Sequence, residues 1–343
     1  MHPARYLMSP LWPLAILSSD KSLVRNPVLA SEALNRRGLH RWRVATAAAM
    51  AGRRRRAMAA ALPAEARAAF ERDGFFRTED FLPAPAFERL VAELLGGTFA
   101  AWEMRQGETV TRLTPVTPAL RQRAPAIAAA VDDPRFFRQI RYAAGRGGLP
   151  IVSVQTIIVD RKDARIDPQT ALHTDTFHST SKAWLFLHDV GEDDGPFMYV
   201  PGSHRLTEAR LEWEHQRALT ARDDDRHRHG SFRLDPGDLE RLGLPEPQRV
   251  AVKANTLIVA DTFGFHGRTP SSRRETTRIE IHADLRRNPF MPWNGGDPKA
   301  LPLVRDHAVP LAMGVAGMVE KATGKRGIWR PVGEVAIASG AHI

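Results

Sequence analysis

The sequence predicts a mainly β chain with flanking helices (α+β), in which a helical first part leads into a β-sandwich or barrel. Three observations carry that expectation. Apolar residues recur at threes and fours between Ala61 and Leu95; from Leu149 onward the pattern shortens to runs rich in β-branched and aromatic residues; and Gly, Pro and Asp clusters separate those runs. With 343 residues, 43% apolar and 26% charged, the chain can bury one sizeable core, and disorder, collagen and coiled coil are excluded as global descriptions.

Residues 1–60 read as a basic, partly apolar N-terminal extension. They hold eleven Lys and Arg against two acids, so nearly all of the net charge of +10 sits at this end. The apolar run Leu7 to Leu17 is broken by Pro10 and Pro13 and falls short of the roughly 20 residues that span a bilayer. It also lacks the unbroken core and cleavage site of a secretory signal. Arg36, Arg37, Arg41, Trp42 and Arg43, an alanine-rich stretch from Val44 to Ala51, and Arg53 to Arg56 follow. They suit either a helix lying on an anionic membrane surface or a solvated helix packed on the body. Nucleic acid is not expected as a partner, because no stacking aromatics interleave with Arg53 to Arg56.

Residues 61–300 read as one domain. Pro63, Ala66, Ala69 and Phe70 mark a first helix, and Phe87, Leu90, Val91 and Leu94 a second that ends at Gly96 and Gly97. Between them Asp73 to Pro83 reads as a short strand and turn. Residues 117–144 read as further helix with a restart at Asp132, Asp133 and Pro134. Strands are expected at Ile151 to Val159, Ala183 to Leu187, Phe197 to Val200, Val250 to Val252, Thr256 to Ala260 and Thr277 to Ala283. The turn Gly191 to Pro196 predicts a hairpin between the strands on either side. A polar, partly helical insertion occupies 205–249, with Asp223 to Asp225 as a solvated surface and His227 and His229 nearby, and 301–343 form a C-terminal tail.

Cysteine is absent, so thiolate metal sites, disulfides and cysteine nucleophiles are excluded and any metal falls to His, Asp or Glu. No Gly-rich phosphate loop or Gly-x-Ser-x-Gly elbow occurs. His-x-Asp occurs twice, at His173-Thr174-Asp175 and His282-Ala283-Asp284. A non-haem iron site of two histidines and one carboxylate needs a close pair plus a distant histidine, with three positions left open. The first pair meets that demand with His266, just after the strand Thr256 to Ala260. His282 alternates with Ile281 and Ala283 as in an ordinary half-buried strand and reads as structural. Arg278, twelve residues after His266, suits a bidentate anchor for a dicarboxylate cosubstrate, and Thr276 shares its strand parity. Arg273 and Arg274 are expected to face solvent, Pro201-Gly202-Ser203-His204 to be a turn that shapes the sheet, and His178 and His188 to be polar core or rim.

The run from Leu172 to Arg205, followed by "ANTLIVADTFGFHGR" and Arg278, resembles the phytanoyl-CoA dioxygenase family over about residues 65–290. Each motif is weak alone; their order is specific. The resemblance implies a double-stranded β-helix (jelly roll, cupin-like) core, iron(II), 2-oxoglutarate as cosubstrate and dioxygen. It implies His173, Asp175 and His266 as metal ligands and catalytic centre, Arg278 as the anchor of the distal carboxylate, and Gln155 and Trp184 as cosubstrate-pocket residues. Arg268 departs from the small hydroxyl residue often found two positions after the distal histidine. Because Asp175 supplies the carboxylate that related halogenases lack, hydroxylation of an unactivated carbon is favoured over halogenation. The basic, Trp-containing start makes a lipid or membrane-proximal substrate the leading expectation, with a soluble small molecule as runner-up. It also implies a cytoplasmic protein attached peripherally to the inner face of the cell membrane. A non-catalytic jelly-roll binding protein held by its basic end is the alternative from another class.

Overall fold

The computed structural model describes residues 12–160, 167–273, 275–293, 304, 307–324 and 327–343. Eleven strands among them form two antiparallel sheets: β1 Phe75–Thr78, β2 Thr98–Gln106, β3 Thr109–Pro115, β4 Ile151–Asp160, β5 Ser181–Phe186, β6 Phe197–Tyr199, β7 Gln248–Val250, β8 Leu257–Asp261, β9 His266–Arg268, β10 Glu275–Leu285 and β11 Arg330–Ala336. The large sheet runs β1-β8-β5-β10-β4-β3-β2-β11 and the small one β7-β6-β9. This is the jelly-roll, α+β arrangement.

Strand alternation gives the large sheet two unlike faces. Ala183, Leu185, Leu257, Val259, Ile279, Ile281 and Ala283 pack on Phe70, Leu90, Leu94, Phe136 and Ile140 from the helices Ala64–Asp73, Ala84–Leu95 and Pro134–Ala143. The opposite face turns Trp184, Phe186, Ile258 and Ala260 toward Phe197, Tyr199 and Val250 of the small sheet. Helix Ala64–Asp73 ends at Gly74 with φ +91°, where a Cβ would lie 2.6 Å from His204 Nδ1 and from the Tyr199 hydroxyl, so only glycine fits.

The expected strands are present within a few residues of their ends, and the expected hairpin across Gly191 to Pro196 is not. β5 pairs with β8 and β10, whereas β6 pairs with β7 and β9 in the other sheet. The backbone between them bonds elsewhere, Leu187 N–H to Ile279 O and Val190 N–H to Val252 O, so the turn carries the chain from one sheet to the other. The insertion contributes the helix Glu208–Thr220, capped by Thr207, and buries Trp213 and Phe232 against Val200 and Phe265. His227 is buried beside Phe232, and Asp224, expected to be solvated, bonds to Arg226.

Residues 98–115, which carry no expectation from sequence, form the hairpin β2–β3. Their pattern is broken by a buried ion pair, Arg112 with Glu103 at 2.6 Å, both 0% exposed. Arg112 also donates to the carbonyls of Ala336, Ile337, Ser339 and Gly340. The expected tail therefore needs correction: after the helix Ala308–Thr323, residues 330–336 pair with β2 as β11, and the following carbonyls fold over one guanidinium.

The basic first segment is also partly internal, although residues 1–11, and with them the start of the apolar run, lie outside the described residues. Helix Leu39–Met58 packs on Glu208–Thr220. Arg43 is 1% exposed, donates to the carbonyls of Ile16, Ser18 and Asp20, and lies 4.1 Å from the Phe177 ring centroid. Arg54 donates to Met291 O. Arg55 reaches Tyr142 O, Ala143 O and the Asp261 carboxylate at 2.6 Å. These arginines donate to backbone carbonyls and to a buried carboxylate, so their charge is engaged inside the body. No helix among the described residues is long and apolar enough to cross a membrane.

Replacing Arg112 with Met strands Glu103 as an unpaired buried charge. The expected loss is about 3–5 kcal/mol, read from urea unfolding.

Candidate active site

His173 lies in the segment between β4 and β5, and the edge of the small sheet captures it. Its backbone N–H donates to His266 O at 2.9 Å and His266 N–H donates back to His173 O at 3.0 Å. Residues exchanging both bonds sit directly opposite each other, so their side chains emerge on the same face. The ring centroids are 4.7 Å apart. Thr174 N–H bonds to Phe232 O and Asp175 N–H to Thr262 O, which brings the carboxylate to the same place. Asp175 Oδ1 is 3.9 Å from His173 Nε2 and 3.8 Å from His266 Nε2. Within one group, ligand-type atoms of these three residues all lie within 4.8 Å of one another.

The ring nitrogens are sorted by backbone. His173 Nδ1 is 2.8 Å from Ala171 O and His266 Nδ1 is 2.9 Å from Gly264 O. A carbonyl only accepts, so each Nδ1 carries the proton and each Nε2 keeps its lone pair. Burial, reinforced by the His266 ring, pushes the His173 imidazole down to about 3, and burial lowers His266 as well. Burial alone would favour a protonated Asp175, but Lys182, foremost among several cationic groups, holds its carboxyl well below the usual carboxylate range. Two neutral imidazoles and one carboxylate are a donor set for a divalent first-row metal. The buried Nε2 of His266 has no hydrogen-bond partner among the described residues, as a donor reserved for a metal should.

A cavity of about 220 Å³ opens beside these groups, between the two sheets. Gln155 of β4, Trp184 of β5, and Arg278 and His282 of β10 line it. Arg278 Nε lies 2.8 Å from Glu280 Oε2 and Nη1 donates to Gly195 O at 2.6 Å. Thr276 does not reach this cavity; it lines a smaller adjoining one that Arg268 and Arg278 share. Arg273 is exposed beside Asp194, and Arg274 lies outside the described residues. The Pro201 to His204 turn supports the site, because Ser203 Oγ accepts from Phe265 N–H next to His266.

Several lining residues were not assigned to the site from the sequence. His282, read as structural, is a wall of the cavity 6.0 Å from Trp184. Lys182 has the strand parity of Trp184, a signal that was there to find, and its Nζ lies 2.8 Å from Asp175 Oδ2. Arg268 shares parity with His266, pairs with Asp167 at 2.7 Å, and is lowered to about 10 by burial and by Arg278. Trp329 closes the cavity from beyond the expected domain.

Residues 70–239 match the family model described as phytanoyl-CoA dioxygenase (PhyH). The chain belongs to this family. The matched segment of this phytanoyl-CoA dioxygenase-family protein includes His173 and Asp175 and ends before His266 and Arg278, which the fold adds. No curated protein matches the chain. Among solved structures, the non-heme α-ketoglutarate-dependent epimerase SnoN from nogalamycin biosynthesis is 19% identical, covering 68% of this chain and 91% of that chain at a TM-score of 0.43. The carbocyclase SnoK from the same biosynthesis is 21% identical, covering 65% and 83% at 0.39. HygX from Streptomyces hygroscopicus, with nickel, 2-oxoglutarate and hygromycin B bound, is 17% identical, covering 65% and 86% at 0.38. Family membership together with the His, Asp and His cluster makes the chain an iron(II)- and 2-oxoglutarate-dependent oxygenase.

Away from the cluster, burial pushes His178, His204 and His282 each down to about 3. The unfolded chain therefore takes up these protons first, near pH 6.5, so stability is full above that value and falls as the pH drops toward 3. The urea midpoint is expected to fall steadily between pH 6.5 and 4. His204→Leu, which removes a ring whose nitrogens have no partner among the described residues, should flatten that slope by up to ~1.4 kcal/mol per pH unit.

Proposed function

We propose that the chain hydroxylates an unactivated carbon of an apolar, lipid-like small molecule, with His173, Asp175 and His266 holding iron(II) and Arg278 receiving the distal carboxylate of 2-oxoglutarate. The observation that carries this reading is the buried pair of Nε2 lone pairs facing one carboxylate oxygen beside a guanidinium-lined cavity. Bound iron(II) with 2-oxoglutarate and dioxygen supplies an oxidant for a C–H bond and yields succinate and carbon dioxide. The chain's own part is positional. The carbonyls of Ala171 and Gly264 hold the two imidazoles in the metal-binding tautomer. Arg278 offers N–H donors to a carboxylate, Gln155 offers its amide, and Trp184, packed on Phe197 at 4.8 Å, keeps water from one wall. The carboxylate at position 175 favours hydroxylation over halide transfer.

The lipid-like character of the substrate is supported by apolar side chains that the last part of the chain leaves exposed. The helix Ala308–Thr323 exposes Leu311, Val315 and Met318, spaced along one stripe, and Ile328 is 72% exposed beside Trp329, which reaches the cavity wall. Peripheral contact with an anionic membrane would use such a stripe together with the exposed Arg37, Arg53 and Arg56, since Arg43, Arg54 and Arg55 are engaged within the body.

Succinate formation in the presence of iron(II) and 2-oxoglutarate should be abolished by His173→Ala and retained at raised 2-oxoglutarate by Arg278→Ala, whose KM should rise roughly 10- to 100-fold. Equal turnover in wild type and His173→Ala would exclude the reading. In flotation with phosphatidylserine-containing vesicles, wild type should rise with the lipid, and the triple change of Leu311, Val315 and Met318 to Ser should remain behind. Wild type remaining behind would turn the substrate assignment to a soluble metabolite.

A further inference from the structure

We infer that Lys182 is a positioning residue of the metal centre, holding Asp175 so that a single carboxylate oxygen faces the two imidazoles. The inference rests on the ligand reading above and concerns how many positions that ligand set leaves open. Asp175 has two oxygens with different surroundings. Oδ1 is the one at 3.9 and 3.8 Å from the two Nε2 atoms. Oδ2 is turned away into an ion pair with Lys182 Nζ at 2.8 Å that lacks hydrogen-bond geometry, with Arg286 Nη2 at 3.6 Å behind it. The backbone of the same residue is held as well, because Lys21 Nζ donates to Asp175 O at 2.6 Å and Ser231 Oγ donates to it at 3.1 Å.

Lys182 is built into the scaffold. It lies on β5 between Ala260 of β8 and Asp284 of β10, and its side chain is 22% exposed, reaching the cavity wall. A carboxylate is free to bind a metal through one oxygen or two. The second mode would consume one of the three positions that a cosubstrate chelate and dioxygen require. An ammonium holding Oδ2 disfavours that mode. It does so at an electrostatic cost to metal binding, since a cation beside the ligand carboxylate repels the ion and draws charge from the donor. Lys182 thus weakens the grip on the metal and preserves the vacancies.

Removing it should therefore split two affinities that simple damage to the site would lower together. The test is an anaerobic titration of full-length wild type, Lys182→Met and Lys182→Arg. Iron(II) affinity is measured by chelator competition, and 2-oxoglutarate affinity by its visible charge-transfer band at saturating iron(II). Lys182→Met is expected to bind iron(II) as tightly as wild type or up to about tenfold more tightly, and 2-oxoglutarate about tenfold or more weakly. Lys182→Arg, which keeps a cationic donor, should restore 2-oxoglutarate binding to within about threefold. Should the Met variant fail to fold, Lys182→Gln carries the same pair of readouts. A 2-oxoglutarate affinity within twofold of wild type at saturating metal, or a parallel fall in both affinities, overturns the inference. If wild type itself shows no charge-transfer band, the iron and 2-oxoglutarate reading fails and this inference with it.

Discussion

The reciprocal pair of backbone hydrogen bonds between His173 and His266 is the constraint on which the site depends. It joins a segment leading out of β4 to a three-residue strand far along the chain, and it requires the two imidazoles to emerge side by side. Neither segment has enough strand of its own to hold that register. The register is held instead by neighbours: Phe232 O takes Thr174 N–H, Thr262 O takes Asp175 N–H, and Ser203 Oγ takes Phe265 N–H. Thr262 is fixed in turn through Asp261, whose carboxylate accepts from Arg55 and Ser179. An arginine in the basic first segment is thereby linked to Asp175 through two hydrogen bonds and the peptide bond between Asp261 and Thr262. The positive charge of residues 1–60 is to that extent structural, which composition alone does not reveal.

The ordered motifs made the cluster legible from sequence. His173, Asp175, His266, Arg278, Gln155 and Trp184 all converge on one space, and the strands that carry them fall where their alternation indicates. Legibility failed where alternation has two meanings. In β10 the apolar set Ile279, Ile281 and Ala283 faces the helices, so the polar set Arg278, Glu280 and His282 looks like a solvent face. In a sandwich that second face lies between the sheets, where Arg278 and His282 line the cavity. The same inversion hid Lys182, two residues before Trp184 on the same face of β5. β2 and β3 were obscured differently, by Glu103 and Arg112 standing where a core strand would carry apolar residues. β11 has no pattern of its own; much of its place is set by carbonyls gathered on Arg112.

The charged groups inside the molecule follow one rule at different places. Arg112 meets Glu103, Arg210 meets Glu214, Arg55 meets Asp261, Arg278 meets Glu280 and Arg268 meets Asp167. Each pairing removes the penalty of an isolated buried charge, and each guanidinium but Arg268's also serves backbone carbonyls through its fork of donors. Asp175 is surrounded differently. It faces Lys182, Arg286 and Lys21, an excess of cations over one carboxylate, which keeps it ionised and directs its two oxygens to different tasks.

The two arginine pairs at the far end of the cavity bear on how a dicarboxylate is chosen. Arg278 is already partnered by Glu280 and the Gly195 carbonyl, and Arg268 by Asp167, so the end wall is close to neutral before any ligand arrives. A strongly positive wall would draw in any anion. A neutral wall with rigid residual N–H groups rewards only an acceptor placed to meet them, because little rotamer freedom remains to be lost and no large field acts at a distance. Burial and the nearness of Arg278 already disfavour the charge on Arg268, so a carboxylate seated between the two guanidiniums relieves their repulsion as well as filling their donors. A keto acid with a single carboxylate would leave that relief unrealised. On the proposed reading of Arg278, selection for a second carboxylate at the correct distance would follow from the pairing of the arginines, and not from their charge alone.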